Sequence, residues 1–399
     1  MTGGPIAGAG LTAAEADALI RNGVAALQRG APREARRAFE QVVAAGGDIA
    51  PPWLLVAQAC RMEGDEAAER DALERLLDLY PRHVRGLVMK GDLLARAGEL
   101  RSAHSFWRRA VEIADAGDPL PPQLAGEIAR CRAALADGAA LYAAHLRDAM
   151  AARGFPAERL GPRLQEALAI VNGERQIYLQ QPTSFYFPGL PQIQFYERTD
   201  FAWAEAVEAA TADVRDELMA VLADTPELPP YIEHDPTVPH RTHRLADNPA
   251  WGAYHLLRGD PVPGQADRCP KTLAALAHAG QPVIRGRSPM ALFSLLKPGA
   301  HIFPHHGMLN TRLICHLPLV VPPGCRLRVG NETRAWEEGR LMVFDDSIEH
   351  EAWNDGQSFR VILLFEIWRP EIAAEERAAL TALFESIDAF RGGPPDMSG

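Results

Sequence analysis

An internal period of 34 residues in the first third of the chain most strongly limits what the chain can fold into. Gly30, Gly64 and Gly98 recur at this spacing. Two further sets of positions keep the same phase, one small and one large and apolar: Gly23, Ala57 and Gly91, and Phe39, Leu73 and Trp107. A small residue lets two helices approach closely, a glycine permits the turn between them, and a large residue fills the seam. The pattern predicts an array of antiparallel helix pairs.

This period resembles that of the tetratricopeptide repeat. Such arrays usually dock peptides or proteins, and the alternative is a structural cap that only stabilises its neighbour. Pro119, Pro121 and Pro122 interrupt the array, and the alanine-rich residues 124–152 predict a capping helix or helices. We assign residues 11–153 to a helical repeat domain and residues 154–182 to a linker.

Residues 183–392 differ from the repeats in their sequence pattern and are assigned to a second domain. Residues 200–222 show a helical period with Asp200 as a plausible N-cap, whereas residues 224–282 are rich in loop-forming residues. Short strands follow at about 290–297, 312–321, 325–330, 340–344, 349–354 and 359–368, and a helix from about Pro370 to Phe390 ends the domain. Such strands predict a double-stranded β-helix of the jelly-roll or cupin kind. The predicted fold class is therefore multi-domain α + β, an α-helical solenoid followed by a β domain with flanking helices.

Composition excludes several classes of protein. A formal charge of -11 argues against a nucleic-acid binder, which needs a basic face. We expect no membrane span because no apolar run of about 18 residues exists. The first residues lack the basic and apolar regions of a signal peptide. Five scattered cysteines suit a reducing compartment, and we expect a cytoplasmic protein.

Three residues of the predicted β domain suggest chemistry on their own. His305 and His350 sit at strand starts, where they could face each other across the mouth of a barrel and bind iron, copper or zinc. The alternative is a pair of hydrogen-bonded structural histidines. Arg360 lies in a strand that is otherwise apolar, so its guanidinium needs an anion. That anion is either a protein carboxylate or a carboxylate cosubstrate. Together these residues point to a non-haem iron oxygenase that uses 2-oxoglutarate.

Four longer sequence blocks point to one particular family of oxygenases. Residues 290–370 contain KPGAHIFPHHG, RLICHL, GCRLRVGNETRAWEEGRLMVFDDSIEHEAW and SFRVILLFEIWRPE. These blocks resemble the aspartyl/asparaginyl β-hydroxylase family of iron(II)- and 2-oxoglutarate-dependent dioxygenases. The similarity extends more weakly upstream to about Gln180, and a tetratricopeptide-like array ahead of the oxygenase domain is familiar in this family.

The resemblance implies a role for each matching residue. His305 and His350 match the two catalytic iron ligands, and Gly307 stands where most related oxygenases carry a third, carboxylate ligand. The hydroxylases that this chain resembles also lack that carboxylate, so water is expected there. The cosubstrate and substrate positions are matched by a further set: Arg360 and Ser294 at the distal carboxylate of 2-oxoglutarate, His316 beside its near carboxylate, Trp251 lining its pocket, and Arg312 contacting the acidic side chain of a substrate.

Other positions depart from the family pattern. Ile314 replaces an arginine of the Arg312 cluster, and Ala246 and Ala253 stand where polar substrate contacts are expected. The resemblance implies iron(II), 2-oxoglutarate and O₂ as reactants. It also implies hydroxylation of an unactivated C–H, most directly the β-carbon of an Asp- or Asn-type residue in a peptide or protein docked by the repeats.

Three other functions stay open. A glycine at position 307 leaves room for a halide, which would suit a halogenase. The same chemistry could act on a lipid acyl chain or a small metabolite. The chain could also be a non-enzymatic binding protein that carries a retired barrel.

Several other polar residues favour structural interpretations. Asp345 and Asp346 precede a turn and are expected to bond backbone. Glu349 and Cys315 should point away from the site by strand alternation. The remaining histidines of this region are expected to be loop residues: His240, His243, His301 and His306.

Overall fold

The chain is described from a computed structural model over residues 11–46, 49–232 and 247–391. It divides into two compact units, residues 1–174 and 175–399. The residues expected to be a linker are structured in part, because a 3-10 turn (Ala157–Arg159) and a helix (Pro162–Val171) lie within residues 154–182. No described helix combines the length and apolarity that crossing a membrane requires.

The described part of the first unit is helical. Its helices are α1 (Ala13–Gln28), α2 (Pro32–Ala45), α3 (Trp53–Glu63), α4 (Glu66–Leu79), α5 (Val84–Arg96), α6 (Leu100–Asp115), α7 (Pro122–Ala152) and α8 (Pro162–Val171). The repeat glycines Gly30, Gly64 and Gly98 adopt φ values of 74°, 76° and 80° in the turns between paired helices. An L side chain is strained at such angles, which explains why glycine recurs there. The predicted helix pairs are confirmed.

The small and large positions of the period face each other within a pair. A Cβ atom built on Gly23 would lie 2.4 Å from the Phe39 ring, and one built on Gly91 would lie 2.4 Å from the Trp107 ring. The helices therefore approach so closely that only hydrogen fits under each ring. Glu69, which breaks the pattern of small residues, is buried and ion-paired with Arg96 at 2.5 Å.

The second unit consists of short strands and flanking helices. Its elements are β1 (Phe195–Tyr196), α9 (Ala204–Ala209), α10 (Thr211–Asp224), β2 (Trp251–Arg258), β3 (Asp260–Pro261), α11 (Pro270–Leu276), β4 (Met290–Leu296), β5 (His301–His305), β6 (Arg312–Val320), β7 (Cys325–Val329), β8 (Glu332–Ala335), β9 (Met342–Phe344), β10 (His350–Asn354), β11 (Arg360–Trp368) and α12 (Ala374–Arg391).

These strands form two antiparallel sheets. The major sheet has the order β1-β9-β6-β11-β4-β2-β3, and the minor sheet has the order β5-β10-β7-β8. The inner faces of the two sheets share one core, in which Leu292 and Ile362 of the major sheet pack with Leu327 and Ala352 of the minor sheet. Helices α9 to α11 cover the outer face of the major sheet. The predicted order of a helical repeat unit followed by an antiparallel β unit is confirmed.

Strand alternation places the side chains of the central strands as expected. Cys315 lies in the outer core with α10, whereas Ile314 lies in the inner core. Arg312 and His316 share the inner face with Ile314 because side chains two residues apart point the same way. The inner face of β6 therefore carries both polar residues toward the space between the sheets.

Some element boundaries differ from the sequence prediction. Strands β2, β5 and β8 were not predicted, and β2 lies inside the range that was expected to be loop. Asp200 sits in a 3-10 turn before α9 and does not cap a helix of residues 200–222, which is broken into α9 and α10. The last helix begins at Ala374, so Pro370 precedes its first turn by several residues.

The repeat geometry generates a test with a matched control. Gly91→Ala should lower the free energy of unfolding of the first unit by about 1–3 kcal/mol, because the added methyl overlaps the buried Trp107 ring. Gly126→Ala, in α7, should be neutral or stabilise by up to about 1 kcal/mol, since nothing lies near that position and alanine favours helix. Urea denaturation combined with peptide-resolved hydrogen exchange of α5 and α6 measures both effects. Equal stability of the two variants would contradict the close contact.

Candidate active site

The inner faces of the two sheets enclose a cavity of about 290 Å³. All of the residues that the sequence nominated for metal, cosubstrate and substrate line it: Trp251, Ser294, His305, Arg312, His316, His350 and Arg360. They come from six different strands of both sheets. The fold therefore brings into one cavity residues that are separated by up to 109 positions in the chain.

Two histidines that line the cavity lie next to each other. His305 at the end of β5 and His350 at the start of β10 are register partners across an antiparallel pair. Their ring centroids are 4.0 Å apart. Two imidazoles this close can ligate one cation, since metal–nitrogen bonds in proteins are about 2.0–2.1 Å long.

Backbone carbonyls set the tautomer of each ring. His305 Nδ1 contacts the carbonyl oxygen of Phe303 at 2.7 Å, and His350 Nδ1 contacts that of Ile348 at 3.1 Å. A carbonyl oxygen can only accept, so Nδ1 carries the hydrogen and Nε2 carries the lone pair in each neutral ring. Burial, together with the neighbouring His305, lowers the pKa of His350 well below its usual range and keeps that ring neutral. Neutral imidazole with a fixed Nδ1–H is the form that binds metals.

Asp346 fills the space beside Gly307. A Cβ atom built on Gly307 would lie 2.1 Å from Asp346 Oδ2, and the Gly307 N–H donates to the Asp346 carbonyl oxygen at 2.6 Å. A carboxylate thus stands next to the position that a third ligand at residue 307 would use, although it comes from another strand connection. Burial is the main cause that raises the pKa of Asp346, to about 7. No group of three or more His, Cys, Asp or Glu side chains suited to a metal was found among the described residues.

Arg360 is a buried cation that has no ion-pair partner in the part of the chain that the structure describes. The side chain is 1% exposed, and its Nε and Nη1 atoms have no hydrogen-bond partner. In the described part of the chain no carboxylate forms an ion pair with it, and its guanidinium lies 4.8 Å from the centre of the Trp336 ring. Burial lowers the pKa of Arg360 to about 10, so the group remains charged near neutral pH. An unpaired buried guanidinium is costly, so the site around Arg360 suits an anion that the described residues do not supply.

Three further residues surround the space beside Arg360. The Trp251 indole N–H donates to Ser294 Oγ at 3.1 Å, which leaves the serine hydroxyl hydrogen to be donated elsewhere. The Trp336 indole N–H donates to His316 Nδ1 at 3.3 Å, so the His316 hydrogen resides on Nε2. Burial and the nearby Arg360 lower the pKa of His316 well below its usual range, and the ring is a neutral donor. These groups suit a carboxylate ligand.

Arg312 is engaged inside the protein. Its Nη1 atom donates to Glu366 Oε2 at 2.5 Å, and its Nη2 atom lies 3.7 Å from Asp346 Oδ2. Burial alone would lower the pKa of Arg312, but Glu366 and Asp346 raise it overall. The residue therefore lines the cavity as the resemblance implied, with its charge already balanced by carboxylates.

The sequence analysis did not nominate Asp346 and Tyr231, which line the cavity, or Glu366, which bonds the lining residue Arg312. Glu366 interrupts the apolar run of β11 just as Arg360 does, and that signal could have marked it. Asp346 was expected to be structural, like Asp345, but only Asp345 behaves so: it accepts from Ser347 and pairs with Arg369. Tyr231 stacks on Trp251 with ring centroids 4.2 Å apart.

The other histidines and carboxylates divide between surface and cavity. His301 contacts Glu351 at 2.8 Å in strand β5, whereas His306 lines the cavity. Glu349 accepts from Arg328 at 2.8 Å, away from the histidine pair. Ala253 is buried in the inner core, and Ala246, His240 and His243 lie outside the described residues.

Comparison with known proteins agrees with the site. A family model described as Aspartyl/Asparaginyl beta-hydroxylase matches residues 208–370. Over these residues the second unit is similar to the aspartyl/asparaginyl beta-hydroxylase family. The match covers most of the strands that build the cavity and all of the nominated residues.

Relatives within and beside this family differ in their named substrates. The aspartyl/asparaginyl beta-hydroxylase of Mus musculus is 27% identical over 327 residues, which are 80% of this chain and 39% of the mouse protein. The ornithine lipid ester-linked acyl 2-hydroxylase of Rhizobium tropici is 35% identical over 180 residues, which are 44% of this chain and 60% of that protein. The chain thus spans less than half the length of the mouse relative. Among solved structures, PcrH in complex with the chaperone binding region of PopB aligns with 32% of this chain at 19% identity and a TM-score of 0.29.

The histidine pair predicts a metal-binding result. His305→Ala and His350→Ala should each lose tight binding of iron(II), because the remaining imidazole alone cannot chelate the ion. His301→Ala is the matched control on the same strand, where the side chain is paired with Glu351. Anaerobic titration with iron(II), followed by metal analysis after gel filtration, measures the retained ion. Equal retention of iron by His305→Ala and His301→Ala would contradict the assignment.

Proposed function

We propose that this chain is an iron(II)- and 2-oxoglutarate-dependent dioxygenase that hydroxylates an unactivated C–H bond. The observation that carries the proposal is the buried guanidinium of Arg360, which has no ion-pair partner among the described residues and shares a cavity with two neutral imidazoles. A dicarboxylate cosubstrate would supply the missing charge. The match of residues 208–370 to a hydroxylase family model supports an enzyme of the hydroxylase type.

The residues of the cavity fit the two absent groups. His305 and His350 would hold iron(II) through Nε2. Arg360 and the Ser294 hydroxyl would hold the distal carboxylate of 2-oxoglutarate, since a planar guanidinium binds carboxylates through two parallel hydrogen bonds. His316 Nε2–H would donate to the near carboxylate, and the Trp251 ring would form a wall of this pocket. When bound, iron(II) and 2-oxoglutarate supply oxidative decarboxylation coupled to the transfer of one oxygen atom from O₂ to a C–H bond.

The protein contributes orientation and exclusion of water. The carbonyls of Phe303 and Ile348 fix both imidazole rings, which otherwise could rotate. Apolar neighbours such as Ile362 and Leu364 keep the cosubstrate side of the cavity dry. Asp346, beside Gly307, is an acceptor that can orient water near the metal position.

The carboxyl group of Asp346 favours hydroxylation over halogenation. A halide would need the space that Gly307 leaves, but Asp346 Oδ2 occupies it. An anion next to a carboxylate is electrostatically unfavourable. A retired barrel is disfavoured too, because a protein that no longer binds an anion gains nothing from keeping Arg360 buried and unpaired.

For the substrate, the relatives' names support two classes. One is the β-carbon of an Asp- or Asn-type residue in a peptide or protein, and the other is a lipid acyl chain. The first unit offers a groove lined by Gln58, Arg61, Met62 and Met89 that could dock a peptide or protein. A succinate-release screen across peptides, amino acids and acyl compounds, with mass spectrometry for the gain of one oxygen, tests the reaction and its substrate. Absence of succinate release with all of these compounds would count against the hydroxylase proposal.

Arg360 provides a direct test of the cosubstrate site. Arg360→Gln should weaken the binding of 2-oxoglutarate by about 2–5 kcal/mol, because a buried charged hydrogen-bond pair is lost. Arg326→Gln is the control, since Arg326 is a solvent-exposed arginine that pairs with Asp355. Calorimetric titration of 2-oxoglutarate into the iron-loaded protein without oxygen measures the affinity. An unchanged affinity in Arg360→Gln would remove the observation that carries the proposal.

A further inference from the structure

Strand β11 carries one polar group toward each end of the cavity. Arg360 and Glu366 both lie on its inner face, six residues apart, which corresponds to roughly 20 Å along an extended strand. Since the Arg360 end suits the distal carboxylate of the cosubstrate, the Glu366 end is where the substrate would enter. The charges at that end therefore decide which substrate the site accepts.

Glu366 is fully bonded within the protein. One carboxylate oxygen accepts from the Met290 N–H at 3.0 Å, and the other accepts from Arg312 at 2.5 Å. The residue has no exposed surface. A second carboxylate, that of Asp346, lies 3.7 Å from the same guanidinium. One cation thus faces two acidic groups, and a third acid from a substrate would not be attracted.

The polar atoms without a hydrogen-bond partner near Glu366 suit an uncharged group. Arg312 Nε and Asp346 Oδ1 are buried without a hydrogen-bond partner. One is a donor and the other an acceptor, which matches water or an uncharged polar group better than a carboxylate. The surrounding wall is apolar, formed by Met290, Ile314 and Tyr231 among others. Ile314 is the register partner of Glu366, so an aliphatic side chain stands opposite the acid.

We propose that Glu366 withholds Arg312 from the substrate and that the site accepts an uncharged acyl chain as the C–H donor. This inference rests on the proposed hydroxylation at the same cavity. An acyl chain presents only methylene groups to the apolar wall. Arg312 Nε and Asp346 Oδ1 could bond one amide group, but a peptide would bring several main-chain amides, and the unbonded ones are costly to bury.

The test uses probes of known structure and measures binding alone. Octanamide, capped Gly-Asp-Gly and capped Gly-Leu-Gly are titrated into the iron- and 2-oxoglutarate-loaded protein without oxygen, with ligand-observed NMR as the readout. We expect octanamide to bind about tenfold more tightly than either peptide. Tighter binding of either the aspartyl or the leucyl peptide to the unmodified protein would overturn the proposal.

A charge variant tests the role of Glu366. Glu366→Gln leaves Arg312 with less compensation and should raise the affinity for the aspartyl peptide about tenfold. Ile314→Arg, which adds a cation at the register partner, should act in the same direction if Glu366→Gln does not fold. Glu338→Gln, at an exposed ion pair with Arg215, is the control and should change neither affinity. No gain for the aspartyl peptide in folded Glu366→Gln or Ile314→Arg would overturn the role of Glu366.

The predicted ranking of the probe affinities and the hydroxylase proposal can fail separately. If Arg360→Gln keeps its affinity for 2-oxoglutarate, the cosubstrate site is wrong whatever the probes do. If the cosubstrate binds as expected but octanamide is not preferred, only the substrate class is wrong.

Discussion

The structure of the β unit depends on a buried positive charge, that of Arg360, which no described residue neutralises. Arg360 lies at the start of a central strand, and the described residues place an aromatic ring beside it where an acid would be needed. Folding such a group costs several kcal/mol, which the large apolar core of two facing sheets must offset. The binding of an anion would recover part of that cost, so affinity for a carboxylate ligand follows from the fold itself.

The second constraint is the packing of the two sheets against each other. Both rings belong to the minor sheet, while the groups that suit the cosubstrate belong to the major sheet. Neither sheet alone forms a site. Because the sheets share one core, packing of apolar side chains between them fixes the distance from the imidazoles to Arg360, Ser294 and His316. The catalytic geometry is thus a consequence of core packing as well as of local sequence.

The two arginines of the cavity show how the same side chain serves opposite purposes. Arg360 lacks an internal acid and is available to a ligand, whereas Arg312 is bonded to Glu366 and withdrawn from one. The difference arises from one acidic residue on the strand that also carries Arg360. On the proposed function, altering the charge around the Arg312 guanidinium would change which substrates are accepted and would leave the residues proposed to hold the cofactors unchanged.

The sequence by itself determined the patterns that repeat locally. The 34-residue period fixed the helix pairs, and alternation along β6 fixed that Ile314 faces inward and Cys315 outward, because both depend on the geometry of one element. Strand β5 was not predicted from the sequence because HIFPH has few strand-forming residues and contains a proline. Only the tertiary structure decided that Arg360 lacks an acid, that Glu366 bonds Arg312, and that Asp346 fills the space beside Gly307. Those pairings depend on cross-strand register and on packing between distant segments, which no local pattern encodes.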